Sequence, residues 1–262
     1  MFLTYSTKKD DTTHNLTVII LTKNEEKNIV DVIANAKQVT DKVLIVDSGS
    51  ADKTVELAEE NGAKVVYRAW DNDFAAQRNF ALEHVDTEWV LYLDADERMN
   101  EELVRDIQNV VEKNHDNSYS FTRKSVAFGQ EFNYGVLRSD CVSRLFKKNR
   151  VVWVNRVHEK PVCKDPEFRL NGYAKHYTYT DWYQYFNKFN QYTTVWAENA
   201  FQNGKTTTFV EGIGHALYSF VQMAFFKKGI LDGWLGIVLC LNHFSYTLNK
   251  YIKLLDLQRK GR

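Results

Sequence analysis

At 262 residues the chain is long enough to bury a sizeable core, and its 44% apolar and 26% charged composition excludes a disordered chain. Lys+Arg and Asp+Glu tie at 34 each, so the overall charge points to no nucleic-acid or other polyanionic partner. The balance hides an asymmetry. Residues 215–262 carry seven basic side chains against Asp232 and Asp256, leaving five net positive charges in this tail and five net negative charges ahead of it.

The first fifteen residues lack the apolar run and small-residue cleavage site of a signal peptide and read as an extension, 1–15. Residues 16–21 form a continuous apolar run of strand length, followed by the polar turn Thr22-Lys23-Asn24-Glu25. Ile29, Ile33 and Ala36, with Val30 and Ala34, then recur at helical spacing. A second strand at 43–46 ends in Asp47-Ser48-Gly49-Ser50. Ser50 or Asp52 is placed to cap the next helix, and Gly62 to stop it. A third strand (64–67), a third helix (74–84) and a fourth strand (88–93) follow, the last running into Asp94-Ala95-Asp96-Glu97.

Leu103, Ile107 and Val110 define one more helix. This βαβα order predicts an α/β fold with a mainly parallel sheet flanked by helices. Ligands of such sheets sit at the carboxyl ends of the strands, where each of these polar clusters falls. From about Ser118 the segments 119–128, 142–147 and 151–154 read as strands of a small antiparallel extension, with 148–150 as a turn. After Asp181 the pattern is helical, broken at Gly204 between 182–203 and 207–226. The expected organisation is a catalytic domain over 16–180 and an α-helical C-terminal appendage over 181–262.

Asp94 and Asp96 carry the sharpest chemical signal. A two-residue offset at a strand end points both carboxylates to one side, and hard oxygens suit Mg²⁺ or Mn²⁺ completed by phosphate oxygens. The plain alternative is a solvated acidic turn. Thr22, Asn24 and Glu25 can hydrogen-bond a ribose or base, and Asp47, followed by Ser48, can pair with a uracil imide; turn and cap chemistry is the alternative for each. Gln77 and Arg78 share a helix from which Arg78 can reach a phosphate bidentately, or make a surface ion pair.

The segments LTVIILTKNEEKNI, VLIVDSGSADKTVELAEENGA, FAAQRNFAL and WVLYLDADERM together resemble the inverting family-2 glycosyltransferases of GT-A fold. The resemblance covers residues 16–110. It implies that Asp47 binds the nucleotide base, that Asp94 and Asp96 hold the metal, and that the donor is a UDP-sugar. RLFKKNRVVWVNRVHEKPV, KHYTYTDWYQYFNKFNQY and FFKKGILDGWLGI are similar to the branch that builds the lipopolysaccharide inner core, several members of which add β-linked glucose to a core heptose.

An inverting displacement needs a carboxylate to take the acceptor proton, and Glu159 of the His158-Glu159 pair is the candidate; a surface pair with Arg156 or Lys160 is the alternative. His176 is a candidate third metal ligand or diphosphate contact, against a structural role among aromatics. Arg98 and the aromatics around Tyr134 are placed by position alone near an acceptor site.

The uncharged stretch 233–249 is seventeen residues long and carries several polar side chains, too short to span a bilayer. With its basic flanks it suits helices lying on the cytoplasmic face of an anionic membrane, where a lipid-linked acceptor would be met, or helices packed on the catalytic domain or forming a dimer contact. Cys141, Cys163 and Cys240 form neither a disulfide framework nor a zinc site, which suits a cytoplasmic location.

Three other functions remain: a phosphatase, disfavoured by Arg98 and the late motif; a nucleotidyltransferase, lacking a Gly-rich basic loop; and an inactive scaffold that binds nucleotide-sugar or membrane. No GxGxxG follows any strand, against a dehydrogenase.

Overall fold

The computed structural model describes residues 15–156 and 159–261, so His158 and all but the last residue of the 1–15 extension lie outside the described residues. The chain forms two compact units. The first runs to Arg123 and takes in Cys141–His176; the second comprises Lys124–Asp140 and the chain from Tyr177 on.

In the first unit β1 (Leu16–Thr22), β2 (Val43–Asp47), β3 (Lys64–Tyr67) and β4 (Trp89–Tyr92) form a parallel set in the order β3-β2-β1-β4. The register pairs Thr22 with Asp47, so the two polar strand ends stand side by side. β1, β2 and β4 read as nearly unbroken apolar runs because both sheet faces are covered there, whereas the edge strand β3 is partly exposed. Val18, Ile20, Ile45, Trp89 and Leu91 pack with α1 (Ile29–Ala36), α2 (Thr54–Glu60) and α4 (Glu101–Lys113). Ile19, Leu44, Val46, Val90 and Tyr92 face α3 (Phe74–Glu83) on the other side.

Four further strands are β5 (Glu97–Met99), β6 (Ser118–Ala127), β7 (Gln130–Glu131) and β8 (Asp140–Lys147). β8 joins β4 antiparallel, and the sheet continues through β6 and β11 (Glu167–Tyr179) to β5, with β7 on β6. β9 (Val151–Val154) and β10 (Lys160–Cys163) form a separate antiparallel pair. The fold is therefore the expected α/β arrangement with an antiparallel extension, and the turn at 148–150 passes from one sheet to the other.

Two local expectations fare differently. Gly62, at φ +73°, ends α2 as anticipated. Asp52 Oδ1 accepts from the N–H of Thr54, the first residue of α2, at 3.1 Å, whereas Ser50 makes no such bond to the helix. The Ser50 hydroxyl and Asp52 Oδ2 accept from the Asn24 and Glu26 backbone N–H groups at 2.8 and 3.2 Å, tying the two strand-end loops together.

β11 is held under α4 by very close packing. A Cβ built on Gly172 would lie 2.1 Å from the Leu103 backbone nitrogen, and Asp106 accepts from the Asn171 and Gly172 N–H groups. Gly172→Ala must push the helix off the strand. It is expected to destabilise the protein by about 3 kcal/mol, the upper range of overpacking costs, as read by denaturant unfolding.

The second unit contains α5 (Trp182–Gln202), α6 (Phe209–Val221) and α7 (Gly233–Lys260), with Gly204 at φ +71° between the first two. α6 starts in a capping box in which Thr208 and Glu211 satisfy each other's backbone N–H groups. The Lys253 ammonium docks α7 on α5, donating to the Asn190 carbonyl and to Thr193 and Thr194 hydroxyls. Among the described residues no helix is long and apolar enough to cross a membrane.

Candidate active site

The carboxyl ends of β1 and β2 are built around Asp47. Its Oδ1 accepts from the Gly49 and Ser50 N–H groups, both at 2.9 Å, and its Oδ2 from the Thr22 and Ser50 hydroxyls at 3.1 and 2.5 Å. Four donors fill the four acceptor positions of a carboxylate. Asn24 is engaged likewise, its Oδ1 accepting from the Ala51 N–H at 2.8 Å.

Beside this scaffold lies a cavity of about 220 Å³ lined by Thr22, Glu25, Ser48, Gln77, Trp70 and Phe74, among others. Gln77 is 1% exposed. Its amide nitrogen donates to the Arg68 and Ala69 carbonyls, which leaves Oε1 a buried acceptor without a partner among the described residues. Trp70 and Phe74 meet edge to face at 4.6 Å. Aromatic walls with a free buried acceptor suit a planar ring that carries an N–H.

At the end of β4 the Asp94 carboxylate is gripped by arginines. Arg78 Nη2 lies 3.2 Å from Oδ1, Arg144 Nη2 2.7 Å from Oδ2, and Arg123 Nη1 3.8 Å from Oδ2. Burial works against the charged form, but Arg144, Arg78 and Arg123 win and hold Asp94 well below the usual carboxylate range. Glu97, fully buried, sits beside Arg123 at 3.4 Å and receives the Asp94 N–H; burial first, then the Asp94 charge, push its carboxyl up. The Arg78 guanidinium lies over the Trp153 ring at 4.6 Å and the Tyr92 ring at 5.3 Å. Among the described residues, Arg78 Nε and Nη1 and Arg144 Nη1 are buried donors without a partner.

Asp96 has different company. β11 pairs with β5 in a register that sets His176 opposite Glu97, and His176 Nε2 reaches Asp96 Oδ2 at 3.1 Å. Burial would lower the imidazole, but the hydrogen bond and charge of Asp96 raise it. Both side chains keep partial exposure, 21% and 33%. Among the described residues no three His, Cys, Asp or Glu side chains are grouped to hold a metal ion. Of the anticipated set, Asp94 is engaged by the arginines, and Asp96 and His176 by each other. One carboxylate and one imidazole, both accessible, fit a divalent cation that takes its remaining oxygens from a diphosphate and water.

Glu159 approaches the cluster from the far side, its Oε1 3.4 Å from Arg78 Nη2. Arg156 pairs instead with Asp73. Asn79 fixes this region by exchanging two hydrogen bonds with the Trp153 backbone, at 2.8 and 2.9 Å. Arg98 donates to the Ala95, Glu97 and Asn28 carbonyls and so braces the loop.

Of the residues singled out in the sequence, Thr22, Glu25, Ser48 and Gln77 share one cavity; Arg78, Asp94 and Glu159 share one ion-pair cluster; Asp96 and His176 form a pair. Arg123, Arg144, Trp70 and Phe74 were missed. A signal for two of them exists: Arg123 follows Tyr119 and Phe121 at alternate positions, and Arg144 precedes Phe146 in the same way. An arginine on the inward register of an apolar strand needs a partner in the interior.

Residues 17–164 match the pattern of the family described as Glycosyl transferase family 2. An uncharacterized glycosyltransferase of Rickettsia typhi is 29% identical over 261 residues, covering 94% of this chain and 89% of that protein. The prophage-derived glycosyltransferase SunS of Bacillus subtilis is 29% identical over 161 residues, 59% of this chain and 36% of its own. Among solved structures, S. aureus TarS is similar at a TM-score of 0.43 and 16% identity, over 63% of this chain and 36% of TarS.

Proposed function

The chain belongs to glycosyl transferase family 2, and from that premise we propose that it moves a sugar from UDP to a hydroxyl of a lipid-linked acceptor with inversion at the anomeric carbon. The observation that carries the reading is the convergence, at the carboxyl ends of β1, β2 and β4, of an aromatic cavity, an arginine cluster and the Asp96–His176 pair.

The cavity takes the uracil ring against the wall that Trp70 and Phe74 form, with Gln77 Oε1 accepting the imide N–H and Asp47 holding the two loops that shape the slot. Arg78, Arg123 and Arg144 face the diphosphate, and Asp94 keeps their guanidinium groups in place. A Mg²⁺ or Mn²⁺ ion on Asp96 and His176, when bound, supplies positive charge to the leaving diphosphate. Glu159 receives the acceptor hydroxyl proton as that oxygen bonds to the anomeric carbon and the sugar–phosphate bond breaks, its electron pair leaving with UDP. An α-linked donor then yields a β-glycoside. The finer reading, glucose placed on a core heptose of lipopolysaccharide at the cytoplasmic membrane face, is supported by the resemblance of 144–162, 175–192 and 225–237 to that branch.

Calorimetry of UDP, GDP, ADP and CMP, each with and without Mn²⁺, tests the donor half. UDP is expected to bind in preference and more tightly with the metal. Asp96→Ala is expected to erase the metal's enhancement, about tenfold or more, without shifting the melting temperature. Nucleotide binding indifferent to Mn²⁺ would remove the metal from the reading; no binding of any of the four would remove the donor.

A further inference from the structure

The turn joining α6 to α7 exposes large apolar side chains on a rigid base. α6 runs into a π-helical turn, Gln222–Phe226, and a 3₁₀ turn, Gly229–Asp232, leads into α7. Phe225, Phe226, Ile230, Leu231 and Trp234 all point outward, with Phe226 76% and Trp234 69% exposed.

These side chains have no room to turn inward. A Cβ on Gly229 would lie 2.6 Å from Cys240 Sγ, one on Gly236 2.1 Å from the Gly229 carbonyl oxygen, and one on Gly135 2.7 Å from the Gly229 Cα. The Asp232 carboxylate accepts from the Asn133 and Tyr134 N–H groups, and the Lys227 carbonyl from the Gly135 N–H. A turn pinned this tightly presents its apolar tips permanently, and monomeric soluble proteins rarely display such a patch without a partner for it.

We propose that this elbow docks on an anionic lipid bilayer, inserting Phe225, Phe226, Leu231 and Trp234 while Lys227 and Lys228 meet the headgroups. The charge selects this occupant. Both lysines are exposed between the apolar tips, and residues 215–262 carry five net positive charges. A two-fold dimer through this patch would oppose each lysine pair to its own copy, whereas an anionic surface neutralises both. α6 extends the apolar surface with Val210, Leu217 and Val221, a helical stripe exposed along one side. The chain thus lies on the membrane rather than through it. The inference rests on the reading that the acceptor is carried by a lipid, and gives the enzyme and that acceptor a common surface.

The test is sedimentation of the full chain with vesicles of phosphatidylglycerol and phosphatidylethanolamine, against vesicles of phosphatidylcholine alone. Binding to the anionic vesicles is expected, with a blue shift of Trp fluorescence that is lost in Trp234→Ser. Replacing Lys227 and Lys228 together by Ala should weaken binding about 25-fold, at roughly fivefold per lysine. Phe226→Ser should weaken it further, and UDP binding should stay unchanged in all of these exposed-residue variants. No vesicle binding, binding untouched by the substitutions, or a stable dimer buried through this patch would overturn the docking. UDP binding measured on the same samples keeps that result separate from the donor reading.

Discussion

Asp94→Ala is expected to cost the protein about 3 kcal/mol of stability as well as its transferase activity. The carboxylate is the shared counter-charge of Arg78 and Arg144, whose side chains are only 4% and 8% exposed. Removing one member of a buried ion pair strands the other, at ~3–5 kcal/mol. The lower end applies because Glu97 and Glu159 stay in reach of the same guanidinium groups. Thermal melting should fall by about 6–12 °C. Asp94→Asn, which keeps one acceptor oxygen, should fall less. A variant that melts like the parent would show that the arginines find other partners, and Asp94 would lose its place as their anchor.

Glu159→Gln is expected to do the opposite: leave the fold and UDP binding intact and lower kcat by about 10²–10⁴, the usual loss for a general base. The amide still offers an oxygen to Arg78, so the 3.4 Å contact can persist. What the variant lacks is the ability to take a proton. Single-turnover transfer from UDP-glucose, measured beside UDP calorimetry, separates the two effects. A fall of less than about tenfold would move the proton acceptor to another group.

The contrast between these two carboxylates follows from how the chain encodes each. The parallel half was legible because β1, β2 and β4 are buried on both faces and show as uninterrupted apolar runs, each ending in a polar cluster. Asp94 stood out for the same reason. Two of its three arginine partners did not, because Arg123 and Arg144 come from antiparallel strands distant in sequence, and only the three-dimensional pairing of β8, β6 and β11 brings them in.

β11 itself was unreadable as a strand. Its inward positions are Leu170, Gly172 and Ala174, and the two small residues make room for α4 instead of advertising an apolar face. The pairing of His176 with Asp96, within the set expected from the sequence, depends on that strand's register, which the sequence does not display. Asp47 illustrates the converse. Its type and position suggest a ligand contact, and the structure adds what the sequence does not display, that its oxygens also accept from Thr22, Gly49 and Ser50.

The self-paired arginine cluster has a consequence for which anions the enzyme admits. Arg78, Arg123 and Arg144 are matched by Asp94, Glu97 and Glu159, so a lone phosphate, even one that reaches their unpaired N–H groups, exchanges water for the repulsion of the carboxylates beside them. A nucleotide diphosphate held by its base and escorted by a cation can make that exchange without leaving a charge uncompensated. Free phosphate, abundant in any cell, should therefore be a poor competitor for the site.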